Sequence, residues 1–185
     1  SSKETLKGKR NQTIIYLLSQ EKHINKVLFL HSEVWMSDLL KNPNKELTSP
    51  QADKWKAVIP KKVTNKIKII ATEVEKIDGI KLLNIDPGKA TNRTVITFVG
   101  EPEQVIEAAF MLIKKASELI DMSKHHGEHP RFGATDVCPL VPISGITLEE
   151  TAKYAHKLGE RVGKELGIPG YFYENAAKEE KRKNL

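Results

Sequence analysis

From residue 63 onward the hydrophobic period switches repeatedly between the helical and the alternating kind, and that succession limits the folds open to the chain. Val63, Ile67, Ile70, Val74 and Ile77 recur at steps of four and three, predicting one face of a helix that Asp78-Gly79 ends. Ile80 to Ile85 reads as a strand, Asp86 to Asn92 as a polar turn, and Arg93 to Val99, with its β-branched and aromatic residues, as a second strand. A long helix follows. Its apolar stripe of Val105, Ala109, Leu112, Ala116 and Leu119 is widened by Ile106, Ile113 and Ile120. Asp136 to Pro142 reads as a strand interrupted by prolines, which suits a sheet edge or a cleft wall. Thr147-Leu148-Glu149-Glu150 is a capping box, opening a helix whose Leu148, Ala152, Ala155, Leu158, Val162 and Leu166 face inward. Gly167 stops this helix, and Tyr171 to Tyr173 form a last strand. With Lys56 to Ile59 as the first strand, the order is that of an α+β, ferredoxin-like split β-α-β sheet with helices packed on one face.

The front of the chain is less patterned. Thr13 to Glu21 reads as a helix, Val27 to Leu30 as a short strand and Glu33 to Lys41 as another helix, before prolines at 43 and 50 bracket a polar stretch. The boundary falls near residue 55. Residues 1–54 are then an unassigned basic segment and linker, 55–177 the patterned domain and 178–185 a charged, frayed tail. Residues 1 to 70 carry 14 Lys/Arg against 6 Asp/Glu, while the remainder carries 16 against 18, so the net charge of +6 sits at the front. Those lysines are scattered, without aromatic interleaving or a recognisable module, which argues against nucleic acid as a partner. No apolar run approaches the length of a membrane helix, the first residues lack a secretory pattern, and Cys138 has no partner for an internal disulfide. A cytoplasmic setting is the expectation.

The chemistry concentrates in His125-His126-Gly127-Glu128-His129-Pro130-Arg131. Pro130 disfavours helical geometry at His129, and the flanking glycines free the backbone, so Glu128 to Arg131 is expected to be an extended loop that presents its side chains. A solvated polar connection would be the blander account of such a segment. Three imidazoles, a carboxylate and a guanidinium between a long apolar helix and a core strand favour a site. His129 suits a general base, with Glu128, Asp86 and Asp136 as candidates to orient it. Arg93 and Arg131 suit carboxylates, because a guanidinium fork matches them bidentately, so a small acidic substrate is expected. The run also satisfies His-x-x-Glu-His, a zinc-peptidase pattern, but that chemistry needs both histidines on one helical face, which Gly127 and Pro130 oppose. No metal is expected. Cys138, in an apolar strand, reads as a small buried hydrophobe rather than a nucleophile.

Two stretches carry a family resemblance: Asp86-Pro-Gly-Lys-Ala-Thr-Asn-Arg-Thr-Val-Ile-Thr-Phe-Val-Gly100, and Ile120 to Pro139 with its Gly-Glu-His-Pro-Arg core. Together, from about Gly79 to Ala177, they resemble the N-terminal subdomain of glutamate formiminotransferases, folate enzymes also found fused to a cyclodeaminase. The resemblance implies transfer of a formimino group from N-formiminoglutamate to N5 of tetrahydrofolate, the acceptor substrate. It implies that His129 is the catalytic histidine and that Asp86, Asn92, Arg93, Glu128 and Arg131 bind substrate or folate. A separate C-terminal subdomain is implied as a partner, and a homo-oligomer is expected. This sequence departs from the family where Val58 to Thr64 replaces a Pro-Asn-Phe-Ser-Glu-Gly loop, and where Asn84 replaces an acid. The chain ends where the second subdomain would begin, so the alternative is a non-catalytic binding or subunit protein derived from the first.

Overall fold

A computed structural model describes residues 27–35, 65–88, 92–124 and 132–183. Among the described residues three helices, α1 (Asn65–Glu75), α2 (Pro102–Leu119) and α3 (Leu148–Arg161), accompany five strands, β1 (Val27–Trp35), β2 (Lys81–Gly88), β3 (Arg93–Gly100), β4 (Thr135–Val137) and β5 (Leu140–Ser144). The sheet runs β2-β3-β1-β4, with β5 also on β1, and every pairing is antiparallel. This is the α+β class expected from the sequence; β1 and β2 are separated in the sheet by β3, with α1 between them in the chain, but the strand in first place is Val27–Trp35 and not the expected Lys56 to Ile59.

Packing follows from the two helical stripes. On α1, Ile67, Ile70 and Val74 are buried, and on α2 so are Val105, Ala109, Leu112 and Ala116, with Ile106 and Ile113 beside them. Alternation on β3 points Ile96 and Phe98 into the same cluster, and Ile85 joins from β2. Burying one such side chain is worth about 1.5–3 kcal/mol, so this stripe-on-stripe contact is the main stabilising term. α1 packs on α2 and α2 on α3, which places all three on one sheet face. Gly100 is required by the close approach of the chain at the far end of β3, where a Cβ would lie 2.7 Å from Ile80 Cδ1 and 2.8 Å from the Gly79 carbonyl oxygen.

The capping box is formed as written in the sequence. Glu150 N–H donates to Thr147 Oγ1 at 3.1 Å, and Thr147 N–H donates to Glu150 Oε2 at 2.9 Å. At the other end the last turn, Val162–Leu166, is wound as a π-helix, and Gly167 stops it with φ 66°. Arg161 joins α3 to α2 through Glu107 and lies 3.8 Å over the Phe110 ring, while Lys157 pairs with Glu103.

Several assignments differ from the sequence expectations. The strand at Val27 does not stop at Leu30 but continues through Trp35, so Glu33 to Trp35 are extended rather than the start of a helix. That strand is the middle one, so the sheet uses residues on both sides of the boundary near residue 55. The proposed first strand at Lys56 to Ile59 lies outside the described residues, as does the helix at Thr13 to Glu21. β2 runs on through Asp86, Pro87 and Gly88, which the sequence assigned to the polar turn. Proline is tolerated there because β2 is the edge strand. The strand at Asp136 to Pro142 is broken at Cys138-Pro139 into β4 and β5. Leu148, at the first turn of α3, is 54% exposed instead of inward. Among the described residues Tyr171 to Tyr173 do not form a strand. Phe172 packs on α3 instead, where Gly159 leaves room for its ring. Residues 180–182 form a 3-10 turn rather than a frayed tail, and Arg182 lies 3.9 Å over the Tyr171 ring.

Candidate functional site

The sheet register brings the two motifs to one end. Gly88 pairs with Arg93 across the β2–β3 hairpin, and Arg93 pairs with Trp35. One rung inward, Val34 pairs with Thr94 on one side and Thr135 on the other. β4 begins at that rung, so the segment that precedes it leaves the sheet at the end where residues 89–91 join β2 to β3. Strands are about 4.8 Å apart, which sets the Thr94 and Thr135 backbones roughly 10 Å from each other.

Asp86 lies opposite Val95, on the sheet face away from the helices. Arg93 is two residues before Val95 on the same strand, so alternation gives it the same face. On that face Thr97 and Val99 of β3 are buried and Val95 is half-buried, while Asp86 on the edge strand is exposed. Asn92 closes the hairpin with φ 52° and is only 3% exposed. Asparagine tolerates this left-handed geometry better than most side chains, which accounts for its use directly before Arg93.

His129, Glu128 and Arg131 lie outside the described residues, as do His125 and His126. Both flanks of that segment are held. Before it, Asp121 Oδ1 accepts from Ser123 N–H at 3.1 Å and Ser123 Oγ at 2.6 Å, closing the turn Met122–Lys124. These bonds, led by the Ser123 hydroxyl and then the Lys124 ammonium, hold the Asp121 carboxyl below the usual range. After it, Phe132 N–H donates to Asp136 Oδ1 at 3.0 Å, tying the segment's exit to β4. Asp136, a candidate to orient His129, is thus engaged with backbone four residues upstream. Cys138, expected to be buried, is half-buried.

Three residues at this end lie inside the two resemblance stretches but were given no chemical role from the sequence. Thr94 and Thr135 flank β1 on one rung with buried hydroxyls that make no hydrogen bond. Each costs about 1–3 kcal/mol, the kind of stored cost that collects at functional sites. Phe132 is 89% exposed. Threonine in a strand and phenylalanine beside glycine are both ordinary sequence, so only register and exposure reveal them. Among the described residues no group of three or more His, Cys, Asp and Glu converges as metal ligands would. No helix among them is long and apolar enough to cross a membrane.

The family described as the formiminotransferase domain, N-terminal subdomain, matches residues 61–185. The chain belongs to this family. Formimidoyltransferase-cyclodeaminase of Gallus gallus is 50% identical over 119 residues, 64% of this chain and 22% of that protein. Glutamate formimidoyltransferase of Streptococcus pyogenes serotype M1 is 50% identical over 117 residues, 63% of this chain and 39% of its own length. The Thermoplasma acidophilum protein of the same name is 44% identical over 121 residues, 65% of this chain and 40% of that protein. The chain thus spans between a fifth and two fifths of the curated relatives it matches. The formiminotransferase match contains both motifs and all six candidate site residues, whereas β1 lies before it.

Proposed function

We propose that the chain is the base-bearing half of a folate-dependent formiminotransferase, moving a formimino group from N-formiminoglutamate to tetrahydrofolate. The observation that carries this is the shared sheet end: the Thr94–Val34–Thr135 rung sets the start of β3 and the start of β4 on either side of β1, and each of the two family motifs runs through one of those positions. In this reading His129 accepts the N5 proton as N5 bonds to the formimino carbon, and returns a proton to the glutamate nitrogen as that carbon–nitrogen bond breaks. One bond forms, one breaks, and the proton is conserved. Arg93 and Arg131 take the glutamate carboxylates. Asp86, Asn92 and Glu128 supply polar contacts to donor and acceptor, and holding the two together removes much of the entropic barrier. No metal enters the reading.

The second subdomain, which the matched relatives have room to contain, is the partner expected to complete the folate site. The test is turnover of formiminoglutamate with tetrahydrofolate by this chain, with and without a separately supplied second subdomain. Activity that rises at least about 10-fold on adding the subdomain is expected, equivalent to roughly 1.4 kcal/mol. No turnover in either arm would replace this reading with that of a non-catalytic binding subunit.

A further inference from the structure

The strand that joins the two halves of the sheet comes from outside the family match. β1 precedes residues 61–185, and residues 36–64 separate it from α1, whereas the other four strands and the three helices of the described residues all lie inside the match. On one side of β1, Leu28 to Trp35 pair residue for residue with β3, from Gly100 to Arg93. On its other side, Val27 to Leu30 pair with β5, and Glu33 and Val34 with β4. Among the described residues no pairing joins β3 to β4 or β5 directly. Two strand spacings are about 10 Å, so without β1 the β2–β3 hairpin and the β4 and β5 strands would face each other across a gap of that width. Each side would then carry a row of unpaired N–H and C=O groups.

We propose that the matched region is an acceptor with a slot for one extended strand, and that residues 27–35 are a donor strand that fills this slot in cis and is exchangeable with a free strand in trans. Main-chain pairing along both edges of the slot supplies the attachment, as in other cases of strand addition. Such pairing reads an extended backbone before it reads particular side chains, so a segment from outside the match can serve. The register fixes where the donor sits: Leu30 lies opposite Phe98 and Leu140, and Val34 opposite Thr94 and Thr135. A tether as long as residues 36–64 gives the chain's own strand an effective concentration of at most on the order of 1 mM. The chain therefore fills its own slot in dilute solution, and free strand competes in excess. Because β1 is what joins the Arg93 end of β3 to the Thr135 end of β4, its insertion assembles the candidate site and its withdrawal separates the two motifs.

The experiment uses the whole 185-residue chain, as parent and as L30P, with a synthetic peptide of residues 26–36 as the free strand. Proline inside a central strand removes a ladder donor and is not accommodated there, so L30P disables the donor and leaves every acceptor residue unchanged. In L30P, hydrogen exchange at the β3 and β5 amides is expected to quicken at least about 10-fold. The peptide should restore protection at concentrations on the order of 1 mM or lower, and the same peptide with proline at position 30 should restore nothing. The parent, whose own strand must first leave, should bind the peptide at least about 10-fold more weakly than L30P does. Nuclear Overhauser contacts should set position 34 of the bound peptide beside Thr94 and Thr135. If L30P unfolds outright, recovery of its helical circular dichroism on adding the peptide is the same test, because folding of the acceptor then requires the strand. The proposal is overturned if β3 and β5 stay as protected in L30P as in the parent, if the peptide restores nothing up to about 5 mM, or if the proline peptide works as well. Equal affinity of parent and L30P for the peptide would also overturn it. These readouts are structural, so a chain without transferase activity would leave the result standing.

Discussion

Asp86 and Arg93 stand diagonally across the β2–β3 hairpin, on the sheet face opposite Ile85, Ile96 and Phe98. Diagonal neighbours in an antiparallel pair are about 7–8 Å apart, within reach of one small ligand carrying both an amine and carboxylates. Arg93→Ala is expected to raise the KM for formiminoglutamate roughly 10- to 150-fold, the value of a charge-assisted hydrogen bond of about 1.5–3 kcal/mol. Arg93→Lys should recover only part of this, because an ammonium cannot match a carboxylate as a fork. Steady-state kinetics with the second subdomain supplied decide it. A lysine variant equal to the parent would make Arg93 a point charge and nothing more.

The turn before the histidine segment is pH-sensitive through Asp121. Its carboxyl is held below the usual range, first by the Ser123 hydroxyl, then by Lys124 and the Ser123 amide. A depressed carboxyl contributes above its ordinary value and loses that contribution as pH falls through the depressed one. Following the Ser123 amide shift against pH should therefore give a midpoint lower than that of an unpaired aspartate, and Asp121→Asn should abolish the transition. A midpoint at or above the usual carboxylate value would show that the turn does not hold Asp121 ionised.

The C-terminal segment docks on α3 through one close approach. A Cβ on Gly159 would lie 2.5 Å from Phe172 Cζ, and the ring is also edge-on to His156 with centroids 4.7 Å apart. Gly159→Ala is expected to destabilise the chain by about 1–3 kcal/mol through overpacking, set against a helix-propensity gain of up to ~1 kcal/mol. In a Phe172→Ala background the same change should become neutral or stabilising, since the clash is gone. Urea denaturation of the four variants measures the coupling. Additive effects would mean that Phe172 moves aside at no cost.

The elements with a strong period were legible in the sequence and the central strand was not. Ile67, Ile70 and Val74 on α1 and Val105 to Ala116 on α2 bury one face each, so their 3.6-residue spacing carries the information. β1 opens on a short apolar run, Val27 to Leu30, and continues through His31-Ser32-Glu33, so neither period is sustained long enough to separate a strand from a helix. Pro87 in a strand and Tyr171 to Tyr173 outside one depend on sheet edges and on the pocket at Gly159, which only tertiary contacts define. At the site, residue chemistry suggested Asp86 and Arg93 and the family resemblance added Asn92; the register sets all three toward the end of the sheet where Thr135 starts β4.

The central claim is that His129 is the base of a formiminotransferase reaction. The most direct measurement is kcat for formimino transfer by the chain with the second subdomain, comparing His129→Ala with His126→Ala and checking each fold by circular dichroism. General-base assistance is typically worth ~10²- to 10⁴-fold, so His129→Ala should lower kcat by about that factor with its spectrum unchanged, while His126→Ala costs under ~10-fold. Equal losses in the two variants, or a loss in His129→Ala that tracks unfolding, would contradict the account.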